Sequence, residues 1–327
     1  VTILSKIASI FLIMGVGFFL NRSDILPSSS NKYFVDLLMF VTTPCMILSS
    51  VTANEFNDDM KSATVEVLLC GIGFFVVLFL VGYILLKKIM RVKPSEDLGV
   101  YILSFSTVNN GFMGFPITNA VFGGNILYLM VIHNICLTVY MYSAGPFILN
   151  MNAGSSKFSF KKLIKTFCNP STIFSLVAVA MLVLGLKLPN MINETVSLIG
   201  DITVPLSMMV VGMQLGDSNI GRIARNKDLL ILSLAKMFAV PVIIFFIMDM
   251  LPVENTVKTA IIFASAFPTA VVTSAIAMME KKNSLLSAEI IALTTLISLG
   301  AYRYAPFSFT LITGYKAGSD FVKILIC

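Results

Sequence analysis

The sequence predicts an all-α polytopic membrane protein, and three observations carry that prediction. The chain of 327 residues is 57% apolar and only 12% charged, about half the charged share of an average soluble protein. Its mean hydropathy is +0.91. Apolar runs of about 20 residues, the length that crosses a bilayer as a helix, recur from one end to the other. No long polar stretch stands apart as a soluble domain.

Taken in order, the runs place spans near 2–20, 33–51, 64–86, 98–122 and 127–149, then near 170–187, 194–215, 229–251, 257–279 and 287–311. The first run lacks a basic leader and a cleavage site, so it reads as a retained span. Arg22 and Lys32 flank the first loop, and Lys87, Lys88, Arg91 and Lys93 follow the third span. Lys157, Lys161, Lys162 and Lys165 follow the fifth, Arg222, Arg225 and Lys227 the seventh, and Lys281 and Lys282 the ninth. The intervening loops hold Lys61, Lys187 and Lys258. Basic residues thus concentrate in alternate loops, which the positive-inside rule places in the cytoplasm. Ten spans satisfy that alternation, and both termini then lie outside a cytoplasmic membrane. The net charge of +6 is accounted for by topology and implies no nucleic acid. Five scattered cysteines, with no C-x-x-C pair, read as small apolar groups.

The chain echoes itself. Thr42-Thr43-Pro44 in the second span is matched by Thr203-Val204-Pro205 in the seventh, and Pro116 in the fourth by Pro268 in the ninth. Five spans per half is an odd number, so the second half enters the membrane from the opposite side, the inverted-repeat plan of secondary transporters. The expected organisation is a first five-helix repeat over 1–149, a basic cytoplasmic linker over 150–169, a second repeat over 170–311 and a divergent tail over 312–327.

The chemistry concentrates in the fourth span, at Ser106-Thr107-Val108-Asn109-Asn110-Gly111-Phe112-Met113-Gly114-Phe115-Pro116. Proline removes a backbone donor and glycine favours departure from helical geometry. The helix should break here, and the freed polar groups must face protein or a wet cavity. Such a break presents helix-dipole ends to a ligand. The alternative is a packing kink whose amides bond to neighbouring helices. The ninth span repeats the pattern at Ala264-Ser265-Ala266-Phe267-Pro268-Thr269-Ala270, where Thr269, Thr273 and Ser274 are either ligands or packing hydroxyls.

Asn109-x-Gly111-Phe112-x-Gly114-x-Pro116 resembles the fourth span of bacterial members of the auxin efflux carrier family. The second span through Pro44, Asn169-Pro170, Pro268-Thr269-Ala270 and Leu293-Thr294-Thr295-Leu296-Ile297-Ser298-Leu299 are similar to further parts of that family. The resemblance covers residue 2 to about 300. It implies ten helices in two inverted five-helix repeats, a fold related to bile-acid sodium symporters, with helices 4 and 9 crossed and broken at Pro116 and Pro268. It also implies a scaffold part and a transport part that move relative to each other, and an organic anion such as a carboxylate as substrate. Two departures stand out. Val272 occupies the neighbourhood where microbial members carry an asparagine after the ninth-span proline, and the run after Gly300 departs from the tenth helix.

The expected substrate-binding set is Asn109, Asn110, Gly111, Gly114, Pro116, Asn134, Pro268, Thr269 and Thr273. The asparagines would donate to a carboxylate, the prolines hold the breaks, and Gly111 and Gly114 allow close backbone approach. Asn134 matches an asparagine of the family's fifth helix. Charges inside the membrane are costly and mark pathways or pairs. Asp36, Asp201, Lys236 and His133 are therefore candidates for coupling or charge pairing, with Lys6 and Lys236 available to the two aspartates. The alternative for His133 is a neutral, hydrogen-bonded packing role, and its solitude speaks against metal binding. Glu66 and Glu289 lie near span ends, where snorkelling accounts for them. Gly15-x-Gly17, Gly71-x-Gly73 and Gly212-x-x-x-Gly216 read as helix-packing positions. No catalytic residue, cofactor or metal is expected, and a coupling ion, H+ or Na+, is left open. The expected partners are a small organic anion and the lipid bilayer, with a second copy of the chain as a further candidate. Rival readings are a membrane-embedded enzyme and a non-transporting receptor or structural subunit. No H-E-x-x-H, G-x-S-x-G or paired catalytic aspartates support the enzyme.

Overall fold

A helix satisfies every backbone group within its own segment, which is why an apolar chain in lipid is built from helices. The computed structural model describes residues 3–52, 58–93, 95–151, 170–217, 220–223 and 225–313. Its principal helices are α1 (Ile3–Arg22), α2 (Asn31–Ser49), α3 (Met60–Ile89), α4 (Leu98–Ser106), α5 (Phe115–Phe122) and α6 (Gly124–Leu149). They continue with α7 (Pro170–Val183), α8 (Asn190–Asp217), α9 (Lys227–Met250), α10 (Asn255–Ser265), α11 (Val272–Met279) and α12 (Ser284–Thr313). Among the described residues α2, α3, α6, α8 and α9 are long and apolar enough to cross a membrane. The predicted fourth and ninth spans are instead each divided into two short helices, α4–α5 and α10–α11. The basic linker at 152–169 and the tail beyond 313 lie outside the described residues.

Prolines accompany three of the four wide, π-type turns among the described residues; the fourth, Ile84–Ile89, has none close after it. The three occupy Leu38–Thr42, Asn110–Gly114 and Ala235–Ala239. Each ends two residues before a proline: Pro44, Pro116 and Pro241. The proline ring would clash with the carbonyl four residues back and leaves it without its donor, so the chain widens there rather than strain an α-turn.

Glycines set the closest contact. α1 runs along α8, where a side chain at Gly17 would strike the backbone of Met209 and one at Gly212 the backbone of Met14. Gly216 likewise accommodates Asn21, whose Nδ2 donates to Asp217 Oδ1 at 2.9 Å. This is the small-residue packing expected of membrane helices. Gly15 and Gly73 face open space, so of the paired glycines only part serves packing. The aliphatic and aromatic core surrounds α4 and α6, and every residue of α4 is buried. Burial of α4 on all sides matters because its far end carries the break. Glu66, expected to snorkel, accepts from the backbone N–H of Glu254 at 2.8 Å and so caps the start of α10.

Candidate functional site

The site is built from the two interruptions. α4 ends at Ser106, and Thr107 turns extended with φ −103° and ψ 151°. Asn109 then caps the wide turn that follows, its Oδ1 accepting from Phe112 N–H at 3.2 Å. Pro116 sits in the first turn of α5, where a missing N–H does no harm. On the other side, α10 ends at Ser265 and α11 resumes at Val272, with Pro268 in the gap.

The breaks are bonded to each other. The Asn109 N–H donates to the Pro268 carbonyl at 2.8 Å. Thr107 Oγ1 lies 2.9 Å from Thr273 Oγ1, and Thr269 Oγ1 donates to the Ser104 carbonyl at 2.8 Å. The Thr269 N–H in turn donates to Thr294 Oγ1 on α12 at 3.2 Å. Ser104, Thr107, Thr269, Thr273 and Thr294 are all buried. Thr269 and Thr273, expected among the ligands, are thus bonded to the crossing itself.

The carbonyls released at the end of α4 are met in turn. That of Leu103 accepts from the Thr107 N–H at 3.1 Å, and that of Ser104 from Thr269. Lys236, 1% exposed on α9, donates from Nζ to the Phe105 carbonyl at 2.6 Å and to the Thr107 carbonyl. The Nζ also lies 5.9 Å from the Phe105 ring centroid. Among the described residues no carboxylate pairs with Lys236. The pairing of Lys236 with Asp36 or Asp201 is therefore not formed: Asp201 is exposed and Asp36 half-buried. The side chain of Lys6 lies outside the described residues.

Beside the crossing, Asn110 Nδ2 lies 2.9 Å from His133 Nδ1. With the amide donating, the imidazole is the neutral Nε2–H tautomer. His133 is wedged against Phe74 at 4.9 Å and stacks on Phe75 at 5.2 Å between centroids.

Three polar atoms here are buried without a protein partner: Asn109 Nδ2, Asn110 Oδ1 and His133 Nε2. Buried polar atoms in folded proteins normally have a partner, so these three are available for one. A cavity of about 80 Å³ opens on this spot, lined by Asn109, Asn110, Gly111, Asn134, Thr43, Thr138 and Tyr142 among others, with no charged side chain in its lining. The sequence singles out Thr43 only for the echo around Pro44 and does not mark Thr138 or Tyr142, because hydroxyls on apolar helices carry no signal until the fold groups them. Gly114 allows close approach, since a Cβ there would come within 3.3 Å of the Asn109 carbonyl. Gly111 does not serve that end: a Cβ there meets nothing within 4 Å, and the residue opens onto the cavity. A second cavity of about 420 Å³ is lined by Gln214, Asp217, Ser274, Glu289 and Thr295 among others, and Val271 lines both cavities.

A family model described as membrane transport protein matches residues 2–302. "Uncharacterized transporter MJ1031" of Methanocaldococcus jannaschii is 23% identical over 303 residues, which cover 89% of this chain and 93% of that protein.

Proposed function

This chain belongs to the membrane transport protein family, the auxin efflux carriers, and from that premise we propose that it moves a small organic anion, such as a carboxylate, by alternating access. The observation that carries the reading is Asn109. Its Oδ1 is held by the backbone of the wide turn, so its Nδ2 is aimed by the fold, and that donor is buried with no protein acceptor. An amide donor in a site without charged lining suits a carboxylate oxygen, since a charged acceptor strengthens each hydrogen bond. The positive end of α5 adds a favourable field. Asn110, Asn134, Thr138 and Tyr142 supply further polar contacts around the same cavity.

The architecture that accompanies this reading is ten spans in two inverted five-helix repeats, over 1–149 and 170–311, in the bile-acid sodium symporter-like arrangement. Two interrupted helices in corresponding places, meeting at their breaks, support it. The charge alternation of the loops supports a cytoplasmic membrane with both termini outside. On that topology the larger cavity, bounded by Asp217 and Glu289, lies toward the cytoplasm. Val271 lines it as well as the small site, which supports reading it as the inner access route. A homodimer is consistent with this organisation and is tested by the mass of the protein in detergent.

The deciding experiment is a thermal-shift screen of the purified chain against mono- and dicarboxylates, followed by uptake into proteoliposomes. A ligand that binds the folded state raises its melting temperature. A saturable rise with at least one carboxylate, lost in Asn109→Ala, is expected. A flat response to every carboxylate overturns the anion reading.

A further inference from the structure

Among the described residues, Lys236 is the one Lys, Arg, Asp or Glu side chain that is buried. A buried ammonium in a bilayer-spanning helix, with no carboxylate paired to it among the described residues, needs compensation from elsewhere. That compensation comes from one place. The wide turn Ala235–Ala239, forced by Pro241, carries Lys236 on α9, and its Nζ meets the Phe105 and Thr107 carbonyls at the end of α4. A helix C-terminus holds partial negative charge, and the break denies these carbonyls their helical donors. Thr107 Oγ1, bonded to Thr273, belongs to the same residue that offers one of the carbonyls.

Unwound carbonyls at the end of a broken half-helix are also how transporters hold a free monovalent cation. Here an ammonium on a four-carbon arm occupies those oxygens. We propose that Lys236 is a tethered cation, filling at the carbonyl end of α4 the position that a free coupling cation would take. Two consequences follow. The wild-type chain requires no free monovalent cation at this position, and truncation of the side chain exposes a latent cation site formed by the Phe105 and Thr107 carbonyls. The positive charge is then built into the crossing, one short extended segment from the Asn109 amide. Any bearing of this charge on coupling rests on the carrier reading; the occupancy itself does not.

The test uses the full-length purified chain, its melting temperature measured in NaCl, KCl, LiCl and choline chloride at equal ionic strength, with no carboxylate present. The wild type is expected to melt at the same temperature in all four. Lys236→Ala is expected to melt lower in choline and to recover by about 2–4 °C, saturably, in at least one alkali salt. Lys236→Gln, which offers a donor without charge, is expected to show the same recovery in smaller measure. The proposal is overturned if the wild type is saturably stabilised by an alkali cation over choline, or if Lys236→Ala is indifferent to the cation. Failure of both variants to fold in any of these salts overturns it equally, because a free cation has then failed to replace the tethered one. Since no carboxylate enters this assay, its failure leaves the anion site standing, and a flat carboxylate screen leaves the tethered cation standing.

Discussion

The backbone N–H of Asn109 donates to the carbonyl of Pro268 at 2.8 Å, and that bond joins two interrupted helices at the points where each has lost its own ladder. The proline, unable to donate, offers its carbonyl to a residue whose side chain caps the opposite break. Each interruption therefore satisfies part of what the other exposes, which is the condition for irregular backbone within a membrane.

Asn109 has two separable roles. Its Oδ1 caps the turn and its Nδ2 faces the ligand in the proposed site. Asn109→Ala should cost about 0.5–2 kcal/mol through the lost cap, and weaken carboxylate binding by roughly tenfold or more through the lost donor. Asn109→Ser should recover most of the melting temperature, because serine also caps well, while leaving affinity low. Recovery of both together would remove the amide from the site.

Gly111 tests the cavity without disturbing the fold. A Cβ there meets no atom within 4 Å, so Gly111→Leu should change the stability of the empty protein by no more than about 0.5 kcal/mol. Its side chain would occupy a space of about 80 Å³. Carboxylate-dependent stabilisation and uptake are expected to be lost. Normal uptake in this variant would place the substrate elsewhere.

His133 is expected to matter first for stability. His133→Ala removes a ring packed on Phe74 and Phe75 and takes the partner from Asn110. The combined cavity and unsatisfied amide should cost about 3–5 kcal/mol, read as a large fall in melting temperature. A variant as stable as wild type would show that the ring is not a packing element.

The contact between α1 and α8 should be intolerant at one glycine and tolerant at another. Gly212→Val would drive a side chain into the backbone of Met14, a clash that cannot be relieved by a rotamer change. A loss of about 1–3 kcal/mol or more is expected from overpacking. Gly15→Ala, facing open space, should be neutral within about 0.5 kcal/mol. Monodispersity and melting temperature in detergent measure both.

Much of the scaffold is legible without coordinates because its causes are local. Hydropathy runs mark helices, and prolines beside glycines or small polar residues mark where the fourth and ninth spans open, at Pro116 and Pro268. The Asn-Gly-Pro pattern was readable as a break for the same reason. Glycine pairs were harder: Gly17 and Gly212 support packing, whereas Gly15 faces open space, and nothing in a one-dimensional pattern distinguishes them.

The site divides along the same line. By itself, the sequence determined that the chain is helical and apolar, where two helices break, and that Asn109, Asn110 and Lys236 are polar groups in costly places. Only the tertiary structure decided what each of them meets. It bonded Thr269 and Thr273 to the crossing, set Asn110 against His133, and brought Lys236 across from α9 to the open carbonyls of α4 rather than to an aspartate. The physical reason is that a helix break follows from residues next to one another in the chain. The partner of a buried polar group follows from which distant helix is packed beside it.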